Sequence, residues 1–143
     1  PLHAVVADLA SLPLDCVLID GPTSRSLPHY SLPNVDLTLY VAAPDAASYA
    51  LLKQDAGHWP ASNYRILINR LQPAQELASA IANLIADDFE EQMVPGVVHE
   101  DLIIAEAQAE LASVIARAPD SQAAQDFQRL ALWCQSEFQS RVE

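Results

Sequence analysis

The chain has 143 residues, enough for one domain with a hydrophobic core; 51% are hydrophobic and the mean hydropathy is +0.11, which argues against a disordered chain. Nineteen acidic and seven basic residues leave a formal charge of −12, and the basic residues are scattered rather than clustered. Direct nucleic-acid binding is therefore disfavoured, because neutralising phosphates takes concentrated positive charge, and anionic lipid headgroups would be repelled for the same reason.

In chain order, Leu2, Val5, Val6 and Leu9 recur at helical spacing, and Pro13 ends that first helix. Residues 15–20, "DCVLID", read as a buried strand that stops on the acidic Asp20, followed at once by Gly21-Pro22. The Pro- and Ser-rich stretch 21–34 reads as loop with room for a short helix. "DLTLYVAAP" (36–44) is a second strand, and Asp45 is placed to cap the helix 45–54 that follows. "YRILINR" (64–70) is a third strand. Residues 73–89 form an amphipathic helix with Leu77, Ile81, Leu84 and Ile85 on one face and Pro73 in its first turn. "MVPGVV" (93–98) is a short fourth strand interrupted by Pro95-Gly96. Asp101 can cap a helix over 100–111, and after a connector a last helix spans 120–138 with the stripe Ala123, Phe127, Leu130, Cys134 and Phe138. The final residues are expected to fray. Cys16 and Cys134 are expected to be small buried residues of a reducing compartment.

Strands alternating with helices imply an α/β fold: one domain over 1–143, with a parallel sheet covered by helices on both faces. In such sheets ligands gather beyond the carboxyl ends of the strands. Asp20, Asp45, Asn69 and the Pro95–His99 loop come from four separate strand ends, and a parallel sheet would bring them to one rim. His99, beside Glu100 and Asp101, reads as a surface or capping partner rather than a catalytic base. Ser24, His29 and Asp36 contain the atoms of a hydrolase triad, but no elbow motif presents the serine. The four histidines are dispersed without metal-ligand spacing. The acidic run 87–91 reads as a solvated helix end, and Trp133 and Phe138 as core.

These residues carry a resemblance. "DCVLIDGPTS" resembles the Walker B and switch II segment of the ParA/MinD family of deviant P-loop ATPases. "YRILINR" is similar to the family's later strand, whose terminal Asn recognises adenine. "VPGVVHEDLIIAEAQAE" and "APDSQAAQDFQRLALWC" are similar to its C-terminal segment. The ordered set resembles most the BcsQ (YhjQ) branch, the MinD-like proteins of bacterial cellulose-secretion operons, and the likeness runs over nearly the whole chain. The resemblance implies a partial doubly wound, P-loop NTPase-like sheet that binds ATP and Mg²⁺. By it, Asp20 would hold a magnesium-bound water, and with Pro22 would lie beside the phosphates. Asn69 would read the adenine edge, Arg70 would lie along the base or be exposed and solvated, and Pro95 would shape the base pocket.

The Gly-rich loop ending in Lys-Ser/Thr that this chemistry needs is missing from the sequence: the three glycines stand alone and Lys53 is the single lysine. The chain, which starts on Pro1, is therefore expected to be the C-terminal portion of a longer protein, with a naturally short relative as the other reading. Hydrolysis is not assignable to these residues alone. The resemblance implies an ATP-dependent dimeric switch serving the cellulose synthase complex. Its partners would be proteins of that complex, a second copy or the N-terminal half. The location would be the cytoplasm, reaching the inner membrane only through partners. A non-catalytic protein-binding scaffold of the same fold and a ParA-type partitioning or localisation ATPase are the alternatives.

Overall fold

The computed structural model describes residues 13–21, 35–58 and 64–142. The chain divides into two compact units, Pro1–Val35 and Asp36–Glu143. In the first, the expected helix over the opening residues and the loop after Gly21 lie outside the described residues. The expected strand at 15–20 is not formed: residues 13–21 carry no helix or strand, Asp20 is exposed and Leu18 is 91% exposed. An apolar run only makes a segment able to join a sheet. Joining takes a hydrogen-bonding neighbour, and no ladder of the described sheet includes these residues. Cys16 is accordingly exposed rather than buried, and Cys134 is half-buried.

The second unit holds a three-stranded sheet in the order β1 (Thr38–Ala42), β2 (Tyr64–Leu71), β3 (Met93–His99), with both pairings parallel. The helices are α1 (Ala46–Asp55), α2 (Glu76–Asp88), α3 (Leu102–Ala109), α4 (Val114–Arg117) and α5 (Gln122–Val142). This is the α/β architecture expected from the strand–helix alternation. Asp45 caps α1 by accepting from Ser48 N–H at 2.8 Å, and Asp101 caps α3 by accepting from Ile103 N–H at 3.1 Å. Residues expected to connect the last two helices contain the single turn of α4. The last helix runs on to Val142 instead of fraying.

Alternation along β2 sorts the core into two layers. Ile66 and Ile68 face α1 and α2, where they meet Leu52, Ile81, Ala82, Ile85 and Phe89. Leu67, with Val94 and Val98 of β3, faces Phe127, Leu130 and Trp133 of α5. Phe127 also borders a smaller cluster of Ala107, Val114, Ala123 and Ala124, which ties α3 and α4 to α5. The buried face of α2 differs from the expected one: Ala78, Ile81, Ala82 and Ile85 point inward, whereas Leu77 is 73% exposed and Leu84 is also exposed. Both leucines lie beside the stripe at helical spacing, and small Ala78 and Ala82 allow α2 to approach the sheet with the stripe rotated towards them.

The acidic end of α2 is not simply solvated. Asp88 accepts from the Tyr49 hydroxyl at 2.6 Å and from Lys53 Nζ at 3.0 Å, both on α1. These bonds, that of Tyr49 foremost, hold its carboxyl below the usual value. Phe89 within the same run is buried.

Candidate functional site

Parallel pairing brings the carboxyl ends of β1, β2 and β3 to one rim, so Asp45, Asn69 and His99 share it as the strand order requires. Each is held differently. The Asp45 carboxylate is committed to its cap. Asn69 is half-buried opposite Val98, and among the described residues its carboxamide makes no hydrogen bond. A half-buried amide with donor and acceptor both available suits a planar ligand edge that offers the complementary pair.

Arg70 occupies a bulge. Asn69 and Leu71 of β2 face the consecutive Val98 and His99 of β3, which leaves Arg70 as the extra residue at φ 62. That left-handed conformation costs a non-glycine residue about 1 kcal/mol. Its guanidinium bonds Glu100 at 3.0 Å, Gln72 bonds the other carboxylate oxygen, and Gln75 in turn bonds Gln72. Arg70 first and Gln72 second lower the Glu100 pKa below its ordinary 4.5. The Arg70 side chain is thus tied along the rim to the residue that follows β3.

Pro95 does not lie on a rim loop. It sits inside β3, where a two-residue advance on β2 (Ile66 to Ile68) is matched by four residues on β3 (Met93 to Val97). Proline has no N–H to give a ladder and Gly96 takes φ 127, so the pair is extruded as a bulge rather than ending the strand. The bulge borders a cavity of about 160 Å³ that reaches Leu67, His99, Asp126 and Arg129.

Asp126, which the sequence reading did not single out, is the most heavily bonded group of this face. It is 3% exposed. One oxygen accepts from His99 N–H at 2.9 Å and lies 2.8 Å from His99 Nδ1; the other accepts from Gln122 Nε2 and Arg129 Nη2, each at 2.8 Å. Burial pushes its carboxyl up, but the bonds from the His99 backbone, the His99 ring and Gln122 together bring it below the ordinary value. A signal existed in the sequence: Asp126 interrupts the apolar side of α5 between Ala123 and Leu130, where a charge persists only if it is paired.

Of the residues expected to form a site, Asn69 and Arg70 stand together at the rim beside Glu100. Pro95 lies further back along β3, Asp20 belongs to the first unit, and Pro22, with Ser24 and His29, falls outside the described residues. The rim can supply hydrogen bonds to a flat polar ring. Among the described residues, the rim carboxylates Asp45, Glu100 and Asp101 are engaged in caps and an ion pair. Among the described residues, no helix is long and apolar enough to cross a membrane.

A search of the curated proteins found no match. The family model described as cellulose biosynthesis protein BcsQ matches residues 3–135, nearly the whole chain. The chain belongs to the cellulose biosynthesis protein BcsQ family, and its role is related to cellulose biosynthesis.

Proposed function

We propose that the chain contributes the base-binding side of an ATP-dependent, dimeric MinD-like switch that serves bacterial cellulose synthesis and secretion. Family membership supports the cellulose role. The observation that carries the nucleotide reading is the available Asn69 carboxamide at the carboxyl rim of a parallel sheet. Adenine offers an amino donor next to a ring-nitrogen acceptor, the pattern that one carboxamide complements. In this reading Asn69 orients the base, and the bulged Arg70, held by Glu100, closes one side. By the resemblance Asp20, in the first unit, would hold a water of a bound Mg²⁺, which supplies charge neutralisation. The phosphates themselves need a loop rich in backbone N–H groups, which must come from sequence other than these residues.

The second reading is a scaffold of the same fold that binds partner proteins without nucleotide chemistry. Titration calorimetry with Mg-ATP separates the two. It is run on the chain alone and on the chain joined to an upstream portion bearing a phosphate-binding loop. Saturable heat with the joined protein supports the switch. Its absence in both samples supports the scaffold and removes the nucleotide reading.

A further inference from the structure

Asn69 and His99 reach the rim from neighbouring strands. Asn69 pairs with Val98, the residue before His99, and paired strands lie about 4.8 Å apart, so one small ring spans both positions. Alternation puts Asn69 on the Leu67 side of β2, which faces α5, and the His99 ring bonds Asp126 of that same helix. Both side chains therefore stand on the α5 side of the rim, and both are half-buried.

The Asp126 carboxylate accepts from Nδ1, which fixes the proton there and leaves Nε2 of the neutral ring with a lone pair and no hydrogen. Nothing else among the described residues binds that nitrogen, and the side chain is 28% exposed, open to a ligand. The rim thus offers a donor and an acceptor from Asn69 and one further acceptor from His99. Adenine fits this set. A ring nitrogen takes the Asn69 amide hydrogen, and the 6-amino group carries two hydrogens, one for the Asn69 carbonyl and one left over. Building on the nucleotide reading above, we propose that His99 is a specificity-determining residue of that site, its Nε2 accepting the second 6-amino hydrogen. Guanine carries a carbonyl oxygen at that position, which would set its lone pairs against Nε2 and the Asn69 oxygen. Turning the carboxamide over relieves only the second of these conflicts, so guanine leaves polar groups unpaired and is rejected. Asp126 keeps the proton on Nδ1, and with it the acceptor at Nε2.

The test uses the chain joined to an upstream portion bearing a phosphate-binding loop. Fluorescence competition compares ATP with purine riboside triphosphate, which lacks the 6-amino group. His99→Asn retains an N–H for Asp126 and removes the far nitrogen. It should weaken ATP about fivefold, the size of one neutral hydrogen bond, and leave purine riboside triphosphate within about twofold. In the unsubstituted protein, the nitrogen NMR resonance of His99 Nε2 should shift with ATP and stay in place with the analogue, a readout that needs no variant to fold. Equal losses for both nucleotides mean a structural role and overturn the proposal, as does an Nε2 resonance that ATP leaves unmoved. If ATP binds and His99→Asn changes neither affinity, the role of His99 falls while the nucleotide reading stands. If ATP does not bind the joined protein at all, both fall.

Discussion

His99 binds one carboxylate oxygen of Asp126 twice, through its backbone N–H at 2.9 Å and its imidazole Nδ1 at 2.8 Å. An ionised carboxylate only accepts, so hydrogen bonding assigns the proton to Nδ1. The last residue of β3 is thereby locked, in backbone and ring orientation, to a helix 27 residues further on. These two bonds join the rim end of β3 directly to the C-terminal helix.

Removing the carboxylate leaves its donors facing a hole. Asp126→Ala is expected to cost about 3 kcal/mol in urea unfolding, the range for one partner deleted from a buried ion pair. Arg129→Ala should cost less than about 1 kcal/mol, because a pair with one exposed, solvent-screened partner contributes little; its side chain is 61% exposed. Similar losses for both variants would contradict the central role of Asp126.

Acid should unfold the protein through lowered carboxyls. Asp126, Glu100 and Asp88 all have folded-state pKa values below their ordinary ones. A depressed carboxyl contributes stability that is present above its unfolded pKa and lost as pH falls through the folded one. The urea midpoint should stay level down to about pH 5 and fall below about pH 4. In Asp126→Ala the fall should be shallower, since one of the linked groups is gone.

The orientation of α2 is testable with two truncations. Ile85 is fully buried and Leu77 is 73% exposed, although both are apolar residues of the same helix. Ile85→Ala should cost about 2–4 kcal/mol through lost burial and a cavity, and Leu77→Ala within about 0.5 kcal/mol. Comparable costs would show that Leu77 belongs to the core.

The turn after α3 should be improvable. Leu111→Gly is expected to stabilise the chain by about 1 kcal/mol, because glycine removes the Cβ crowding at φ 54 and no packing is lost with the side chain. Thermal unfolding reads this directly as a raised midpoint.

Under the nucleotide reading, Asn69→Ala in a protein that carries the phosphate-binding loop should weaken adenine nucleotides about tenfold, the worth of two hydrogen bonds to a base edge. Stability should change by less than about 1 kcal/mol, since the carboxamide bonds nothing else among the described residues. An unchanged affinity would remove Asn69 from the site.

What the sequence determined by itself is whatever depends on neighbours a few residues away. The alternation of β-rich runs with amphipathic segments specified the parallel α/β unit. Asp45 and Asp101 cap helices because a side chain reaches an N–H two or three residues on, and the stripe from Ala123 to Phe138 is a property of one helix. Tertiary structure alone decided the rest. Residues 15–20 have strand composition, but a strand exists only where a ladder partner is free. Ile81 and Leu77 are equally apolar, and the inward face of α2 was chosen by how closely Ala78 and Ala82 let it pack. Asp126 is an acid on an apolar stripe until β3 delivers the N–H and imidazole of His99 to it. Pro95 reads as a strand breaker, yet its neighbours continue the ladder around it. Local periodicity encodes which faces a segment can bury; which partner buries them is settled by contacts between segments far apart in the chain.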